Sequence, residues 1–298
     1  RLASVIGRRS ASCCGESRVL GSAGLCKRHW VVRMLSGAVW LVVNTLQYAW
    51  FAGYSVVCFV WCLLVYAITW NSESALSVGR VLYGPVNLAV GLSSLIVEGR
   101  EHMPTKGPYV LMMNHQSMVD ILIAWLICPL SVRFIAKKAI AYFPIIGWAM
   151  WIFGMVWLER GDARAALRGL KKAAAILARG MIICTFPEGT RSRDGVIAPF
   201  KKGVFLLAGK AGVPIVPVAI DGTGVMAPAK GFRPRPVNIR VRIGAPIATV
   251  GIEREALMRL VRDTIIDMNL TIGGLGGDKA TVIAVEAGPR RAAAAATA

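Results

Sequence analysis

A long apolar segment lies near the start of this chain. Residues 34–70 run for 37 positions without a charged side chain. As one helix this segment would be about 55 Å long, nearly twice the ~30 Å hydrocarbon core of a bilayer. Asn44, Thr45, Gln47 and Gly53 lie near its middle. The pattern therefore predicts two shorter membrane helices, either a hairpin in one leaflet or one span followed by an interfacial helix. The alternative is a buried helical pair in a soluble protein.

Short strand-like runs follow this segment along the rest of the chain. Helical patterns separate several of these runs, which is typical of an α/β domain. The sequence therefore predicts a mixed, largely parallel sheet flanked by helices. The predicted strands cover residues 93–97, 109–113, 132–136, 155–158, 181–186, 214–220 and 237–243.

The clearest helical pattern covers residues 162–179. Asp162 is a favourable N-cap, and Gly180 is a favourable stop after the last turn. The apolar positions predict one face, and the basic positions form another, which is either simply solvated or in contact with anionic lipid headgroups. The apolar face consists of Leu167, Leu170, Ala174 and Leu177, and the basic face of Arg164, Arg168, Lys171 and Lys172.

A second apolar segment, residues 139–158, also lacks charged side chains and is rich in aromatic residues. Pro144 and Gly147 interrupt it, and such breaks argue against a helix that spans a membrane. The segment is therefore predicted to form a membrane-facing surface or the wall of a substrate channel.

Charge and hydropathy narrow the class of partner. The chain of 298 residues has 35 Lys and Arg against 16 Asp and Glu, a formal net charge of +19, and a mean hydropathy of +0.57. Such an excess of positive charge suits an anionic partner. Because the aromatic residues lie in apolar runs, an anionic membrane is predicted as the partner, and nucleic acid is not.

These patterns divide the chain into four parts. Residues 1–33 are predicted to be a basic, disordered tail, whose charge marks the cytoplasmic side of a membrane. Residues 34–70 form the membrane helices and residues 80–270 the α/β domain. Residues 271–298, rich in Gly, Ala and Thr, form a flexible tail. The expected location is the cytoplasmic face of a membrane, most simply a bacterial inner membrane.

Cysteine and histidine usage gives no sign of a metal site. The seven cysteines include no Cys-x-x-Cys pair, and His29 and His102 have no ligand-like neighbours. We therefore expect reduced thiols and no protein-bound metal.

A first polar island, residues 114–120, contains an imidazole and a carboxylate. Five positions along a helix would place His115 and Asp120 about 140° apart, so they cannot meet on one continuous helix. They can meet if His115 lies on the turn after a strand and Asp120 lies in the first turn of the next helix. Asp120 would then fix the imidazole tautomer and leave the other nitrogen free to accept a proton. The alternative is a histidine that merely caps a helix.

A second polar island, residues 186–192, follows the predicted strand 181–186. Glu188, Gly189, Thr190 and Arg191 therefore lie at the carboxyl end of a strand, where open α/β sheets bind ligands. Arg191 can bind a phosphate in a bidentate manner, and Gly189 allows a close backbone approach. The alternative is a surface turn with an ordinary ion pair.

Four motifs in this order resemble the 1-acyl-glycerol-3-phosphate acyltransferase family (lysophosphatidic acid acyltransferases). The matching segments are residues 114–120, 154–160, 186–192 and 213–218, and the similarity extends from about residue 93 to residue 245. The resemblance implies a glycerolipid acyltransferase-like fold and an enzyme that needs no cofactor.

The same resemblance implies a role for each matching residue. His115 corresponds to the general base and Asp120 to its orienting partner. Members of the family often carry an acidic residue after the pair Lys137–Lys138, whereas Ala139 follows here. The positions implied in substrate binding are Glu188, Gly189, Thr190, Arg191, Arg160 and Lys137, with Lys138 as the alternative to Lys137.

The implied reaction is direct acyl transfer at a membrane. An acyl group would pass from acyl-CoA or acyl-carrier protein to the sn-2 hydroxyl of lysophosphatidic acid, giving phosphatidic acid in phospholipid biosynthesis. Glycerol-3-phosphate, another lysolipid such as a lyso-ornithine lipid, and an inactive lipid-binding protein are the alternatives. The chain has no Gly-x-Ser-x-Gly motif, and Cys184 is predicted to be an inward-facing strand residue, so no acyl-enzyme nucleophile is evident.

Overall fold

The computed structural model describes residues 22–159, 163–228 and 234–277. By its internal contacts the chain divides after Thr45 into two compact units. The sheet, its helices and the candidate site all belong to the second unit, Leu46–Ala298. The helices are α1 (Ser22–Thr69), α2 (Ser72–Val78), α3 (Gly84–Val90), α4 (Val119–Ile127), α5 (Ile146–Ile152), α6 (Ala163–Ala178), α7 (Lys202–Ala211), α8 (Thr223–Met226) and α9 (Arg254–Thr271).

Among the described residues, seven strands form one sheet in the order β1-β7-β6-β2-β5-β3-β4. Only the pair β6–β7 is antiparallel. This arrangement confirms the predicted mixed, largely parallel sheet, and each observed strand agrees with one of the seven predicted runs to within one residue at its carboxyl end. The strands are β1 (Ser94–Glu98), β2 (Val110–Met113), β3 (Val132–Lys137), β4 (Val156–Leu158), β5 (Ile182–Thr185), β6 (Ile215–Asp221) and β7 (Asn238–Ile243).

The central strands β2, β5 and β6 are buried on both faces. Parallel strands covered by helices have this property, which explains their uninterrupted apolar runs. One face of the sheet packs with Trp125 of α4, and the other with Leu177 of α6 and Val261 of α9. Because β2, β5 and β6 are mutually parallel, their carboxyl ends lie at the same edge, and the loops that follow them meet there.

Helix α1 is continuous, so the prediction of two shorter helices in residues 34–70 is wrong. Two of its polar side chains bond within the helix or to a neighbour: Thr45 Oγ1 donates to the Leu41 carbonyl at 2.8 Å, and Gln47 Nε2 donates to the Val90 carbonyl at 2.9 Å. A single glycine costs only about 1 kcal/mol in a helix, so Gly53 does not end it. The helix also begins at Ser22, inside the predicted tail 1–33.

The part Gly37–Thr69 of α1 is long and apolar enough to cross a membrane, with a mean hydropathy of 2.1 over a stretch of 18 residues. Only 17% of that stretch is buried, which argues against the buried helical pair of a soluble protein. We conclude that this helix indicates membrane association.

Helix α6 matches the predicted 162–179, and Gly180 has the left-handed φ of +79° expected after a helix end. Asp162 lies outside the described residues. The predicted apolar face is partly wrong, because Leu167 is exposed and the buried row is Ala165, Gly169, Ala173 and Leu177. The helix packs too closely for larger side chains: a Cβ at Gly169 would lie 2.8 Å from the Trp157 carbonyl oxygen.

The predicted C-terminal tail starts too early at residue 271. Residues 272–277 are hydrogen-bonded to the domain, since the Gly276 amide donates to Asn269 Oδ1 and its carbonyl accepts from the Ile197 amide. The remainder of the predicted tail, residues 278–298, lies outside the described residues.

Candidate active site

The loop between β2 and α4 places His115 beside Asp120. His115 lies two residues after the strand, and Asp120 lies in the first turn of α4, as the spacing predicts. The distance from His115 Nδ1 to Asp120 Oδ2 is 2.7 Å. The same Oδ2 accepts from the amides of Gln116 and Ser117, and Oδ1 accepts from the hydroxyl of Thr223. The buried carboxylate is therefore fixed by four donors.

This geometry determines the orientation of the imidazole. Because an ionised carboxylate only accepts hydrogen bonds, Nδ1 carries the proton and Nε2 has the free lone pair. No residue in the described part of the chain bonds to Nε2, and the His115 side chain is 14% exposed. The ring of Phe186 stacks on the imidazole at a centroid distance of 3.9 Å and holds its plane. His115 therefore presents a basic nitrogen outward.

Glu188, which the resemblance implied in substrate binding, lies beneath this loop. Its Oε1 accepts from the His115 amide at 2.7 Å, and its Oε2 accepts from the Ala198 amide at 2.9 Å. The Ser192 amide also donates to the His115 carbonyl at 2.7 Å. The loop after β5 therefore holds the backbone of His115, and Glu188 positions the histidine instead of facing the cavity.

Burial raises the pKa of Glu188 from its ordinary 4.5 to about 7, although the amides of Ala198 and His115 oppose the shift. Between these values the folded state binds more protons than the unfolded state. The free energy of unfolding should therefore fall as the pH rises from about 5 to about 8, by roughly 2–3 kcal/mol.

We expect the variant Glu188→Gln to lack this dependence. The midpoint of thermal unfolding, measured in detergent micelles, should fall by roughly 5–10 °C more for the unmodified protein than for the variant over that pH interval. Other titrating groups are common to both proteins and cancel in the comparison. An equal fall in both would contradict the raised pKa.

Three cations line the cavity beside His115: Lys137 at the end of β3, and Arg191 and Arg193 on the loop after β5. None of them has an ion-pair partner among the described residues. Lys138 instead pairs with Glu159 at 2.9 Å. Of the two lysines, Lys137 is thus the one that lines the cavity. Position 139, where an acidic residue was expected after the lysine pair, is alanine, and Glu159 is the acidic partner of Lys138 instead.

The other positions predicted for substrate binding are Gly189, Thr190 and Arg160. Gly189, with a φ of +76°, and Thr190 line the cavity beside Arg191. Arg160 lies outside the described residues. Arg193 was not predicted, although it lies only two residues beyond Arg191.

The cavity has a volume of about 870 Å³ and is lined mainly by apolar side chains. His115 and the three cations lie in its wall, and α1 contributes a row of residues at helical spacing. This combination suits a ligand with a phosphate at one end and a long apolar chain. Its apolar lining includes Phe51, Phe59, Trp125, Ile145, Met150 and Phe153.

Two buried side chains that the sequence did not single out join this edge of the sheet. The Asn114 amide donates to the Ile220 carbonyl at 2.9 Å and accepts from the Ile220 amide at 2.8 Å, which ties β2 to β6. Arg262 of α9 donates to the Ile197 carbonyl at 3.2 Å, next to the Ala198 amide that holds Glu188. Both side chains bond to residues that are far away in the chain, so no local spacing in the sequence predicts these contacts.

Cys184 is buried within β5, and its Sγ lies 3.9 Å from Met113 Sδ. Burial raises the pKa of this thiol well above its ordinary value. A thiolate nucleophile is therefore disfavoured at this position, in agreement with its interpretation as an inward-facing strand residue.

A histidine held by an aspartate, a set of cations and an apolar cavity thus meet at the carboxyl edge of the sheet. Residues 94–221 match the Acyltransferase family model. The match covers less than half of the 298 residues of the chain.

Relatives with established names share the similarity. The chain is 44% identical over 133 residues to a chloroplastic 1-acyl-sn-glycerol-3-phosphate acyltransferase of Brassica napus, covering 44% of this chain and 38% of that protein. It is 35% identical over 201 residues to the 1-acyl-sn-glycerol-3-phosphate acyltransferase of Saccharomyces cerevisiae, covering 65% of each. The chain thus spans less than two thirds of the length of these relatives. Their chloroplast and yeast origins do not support the expected bacterial inner membrane.

A solved structure shows the same fold. The 1-acyl-sn-glycerophosphate acyltransferase of Thermotoga maritima superposes with a TM-score of 0.70 at 27% identity, covering 79% of this chain and 97% of that one.

Proposed function

We propose that this protein is a membrane-bound acyltransferase that acylates the sn-2 hydroxyl of lysophosphatidic acid and gives phosphatidic acid. The acyl donor is acyl-CoA or acyl-carrier protein. The observation that carries the proposal is the contact of 2.7 Å between His115 Nδ1 and Asp120 Oδ2 in the wall of an apolar cavity that also contains Arg191. The names of the relatives support the choice of acceptor.

In the proposed mechanism His115 Nε2 removes the proton from the acceptor hydroxyl. The oxygen attacks the thioester carbonyl, the new C–O bond forms, and the C–S bond breaks. The departing thiolate takes the proton from the imidazolium, so His115 returns to its starting state. Asp120 stabilises the imidazolium during the reaction, and a positioned base of this kind contributes about 10²–10⁴-fold.

Lys137, Arg191 and Arg193 bind the acceptor phosphate in this proposal, with Arg160 as a further candidate. Gly189 and Thr190 form the turn that brings Arg191 to the cavity, and the apolar lining holds an acyl chain. Glu188 supports the reaction indirectly, because it holds the backbone of His115.

A matrix of donors and acceptors tests the function. The purified full-length protein in mixed micelles would be given acyl-CoA or acyl-carrier protein, with lysophosphatidic acid, glycerol-3-phosphate or a lyso-ornithine lipid as acceptor. Turnover should be highest with lysophosphatidic acid. Preference for another acceptor would change the assigned substrate, and lipid binding without turnover in any combination would indicate an inactive lipid-binding protein.

Replacing Arg191 tests the phosphate site. The variant Arg191→Met should raise the KM for lysophosphatidic acid about 10–100-fold, since a hydrogen bond to a charged group contributes about 1.5–3 kcal/mol. Arg179→Met is the matched control, because Arg179 is exposed just before β5, at the opposite edge of the sheet. Steady-state kinetics should show an unchanged KM in the control. Equal KM values in both variants would exclude Arg191 from phosphate binding.

A further inference from the structure

A row of exposed aromatic side chains lies on the segment 138–153, which we call the aromatic wall. It contains a 3-10 turn, Lys138–Tyr142, and α5, which residues 143–145 connect. Tyr142 is 76% exposed, Phe143 61% and Trp151 71%. So many large apolar side chains in a short surface segment mark an interaction site.

The other side of the aromatic wall lines the cavity through Ile140, Met150 and Phe153. The turn and α5 also pack closely, because a Cβ at Gly147 would lie 2.3 Å from the Ala141 carbonyl oxygen. The wall is thus a thin, tightly packed layer between the apolar cavity and the exterior.

The exposed side of the wall is continuous with α1. The Trp148 ring lies 6.2 Å from the ring of Phe59, which is on α1 within the segment long enough to cross a membrane. Near this contact α1 itself exposes Val57, Trp61 and Leu64. The wall therefore extends the apolar surface of a helix that already indicates membrane association.

Basic side chains border the wall. Lys138 lies at its start, and its pKa is raised by the hydrogen bond to Glu159, while the positive charge of nearby Arg168 on α6 opposes the shift. Lys171 and Lys172 are also exposed, and they lie about one helical turn beyond Arg168 on α6. Exposed aromatic residues bordered by lysine and arginine are typical of a surface that lies at the interface of an anionic bilayer.

We propose that the aromatic wall is a second membrane contact, which inserts into the boundary between headgroups and acyl chains of an anionic bilayer. The basic face of α6, beside the Lys138–Glu159 ion pair, then faces the lipid phosphates. A second copy of the chain is a poorer occupant of this surface, because the two basic borders would repel each other. The proposal concerns how the protein meets the bilayer and holds for any acceptor.

Site-specific photocrosslinking of the full-length protein tests this proposal. A benzophenone amino acid would replace Phe143 or Trp151, in nanodiscs of phosphatidylcholine with or without phosphatidylglycerol. Val57 on α1 is the positive control, and Val250, an apolar residue 73% exposed in a turn after β7, is the negative control. Mass spectrometry should show lipid adducts at positions 57, 143 and 151 and none at 250. Adducts at position 57 without adducts at 143 and 151, or dimers crosslinked through position 151, would overturn the proposal.

The basic border is tested by the same readout. Lys171→Glu combined with Lys172→Glu should lower the yield of lipid adducts at position 151 severalfold in discs that contain phosphatidylglycerol. The matched control is Lys210→Glu, which changes an exposed lysine on α7 and should leave the yield unchanged. Equal yields with and without phosphatidylglycerol, or in all three proteins, would overturn the assignment of an anionic partner.

Discussion

Replacing His115 by alanine is expected to lower kcat for acyl transfer by about 10²–10⁴-fold, with a much smaller change in KM. The variant loses the nitrogen that accepts the hydroxyl proton, whereas the cations that line the cavity remain. Steady-state assays with lysophosphatidic acid and an acyl thioester measure both constants. The backbone of residue 115 stays bonded to Glu188 and Ser192, so the loop should keep its place.

A second histidine provides the control for this experiment. His102 lies in the 3-10 turn after β1, and its Nδ1 lies 2.9 Å from the Ile243 carbonyl oxygen, outside the cavity lining. His102→Ala removes an exposed imidazole without touching the site, and its kcat should be close to that of the unmodified protein. Near-normal turnover in His115→Ala would refute the proposed general base.

Much of the fold was predictable because its strands are short apolar runs between polar turns. The run that contains Cys184 is an example, since β5 is buried on both faces and carries no charged side chain. The pairing of His115 with Asp120 was also predictable, because the strand, the turn and the first helical turn are consecutive in the chain. The strands and the histidine–aspartate pair could both be predicted from residues that are close together in the sequence.

The direction of a side chain was harder to predict than its presence. The motif supplies a carboxylate at Glu188, but nothing in its spacing shows that both oxygens are occupied by the amides of His115 and Ala198. The bond from Thr223 to Asp120 likewise joins residues that are distant in sequence and meet only when β6 lies beside β2. These contacts are products of the sheet topology.

Helix α1 shows why polar residues in an apolar run were misleading. Thr45 returns its hydroxyl to the carbonyl four residues earlier, and Gln47 bonds to the end of α3. Neither residue therefore needs an exposed turn, and the helix continues. The break in the helix was predicted from the polar residues, but their hydrogen bonds are compatible with a continuous helix. A pattern of hydrophobic positions does not show such bonds.

Asparagine in place of Asp120 is expected to lower kcat by about 10²–10³-fold while the fold is preserved. The amide oxygen can take the place of Oδ2, where it accepts from His115 Nδ1 and the amides of Gln116 and Ser117. The NH₂ group then faces the hydroxyl of Thr223, which can rotate and accept. The opposite orientation would place NH₂ against two backbone donors, so the tautomer should be kept. What is lost is the negative charge that stabilises the imidazolium.

Two further variants show whether Asp120 acts through the imidazole. Thr223→Val removes one partner of the carboxylate but leaves its charge. A hydrogen bond to a charged group contributes about 1.5–3 kcal/mol, but this bond is present both before and during the reaction, so kcat should fall less than about 10-fold. In the double variant His115→Ala with Asp120→Asn, the loss should equal that of His115→Ala alone, because residues that act as a unit are not additive. A double variant much slower than His115→Ala would show that the carboxylate contributes to the reaction by a route that does not include His115.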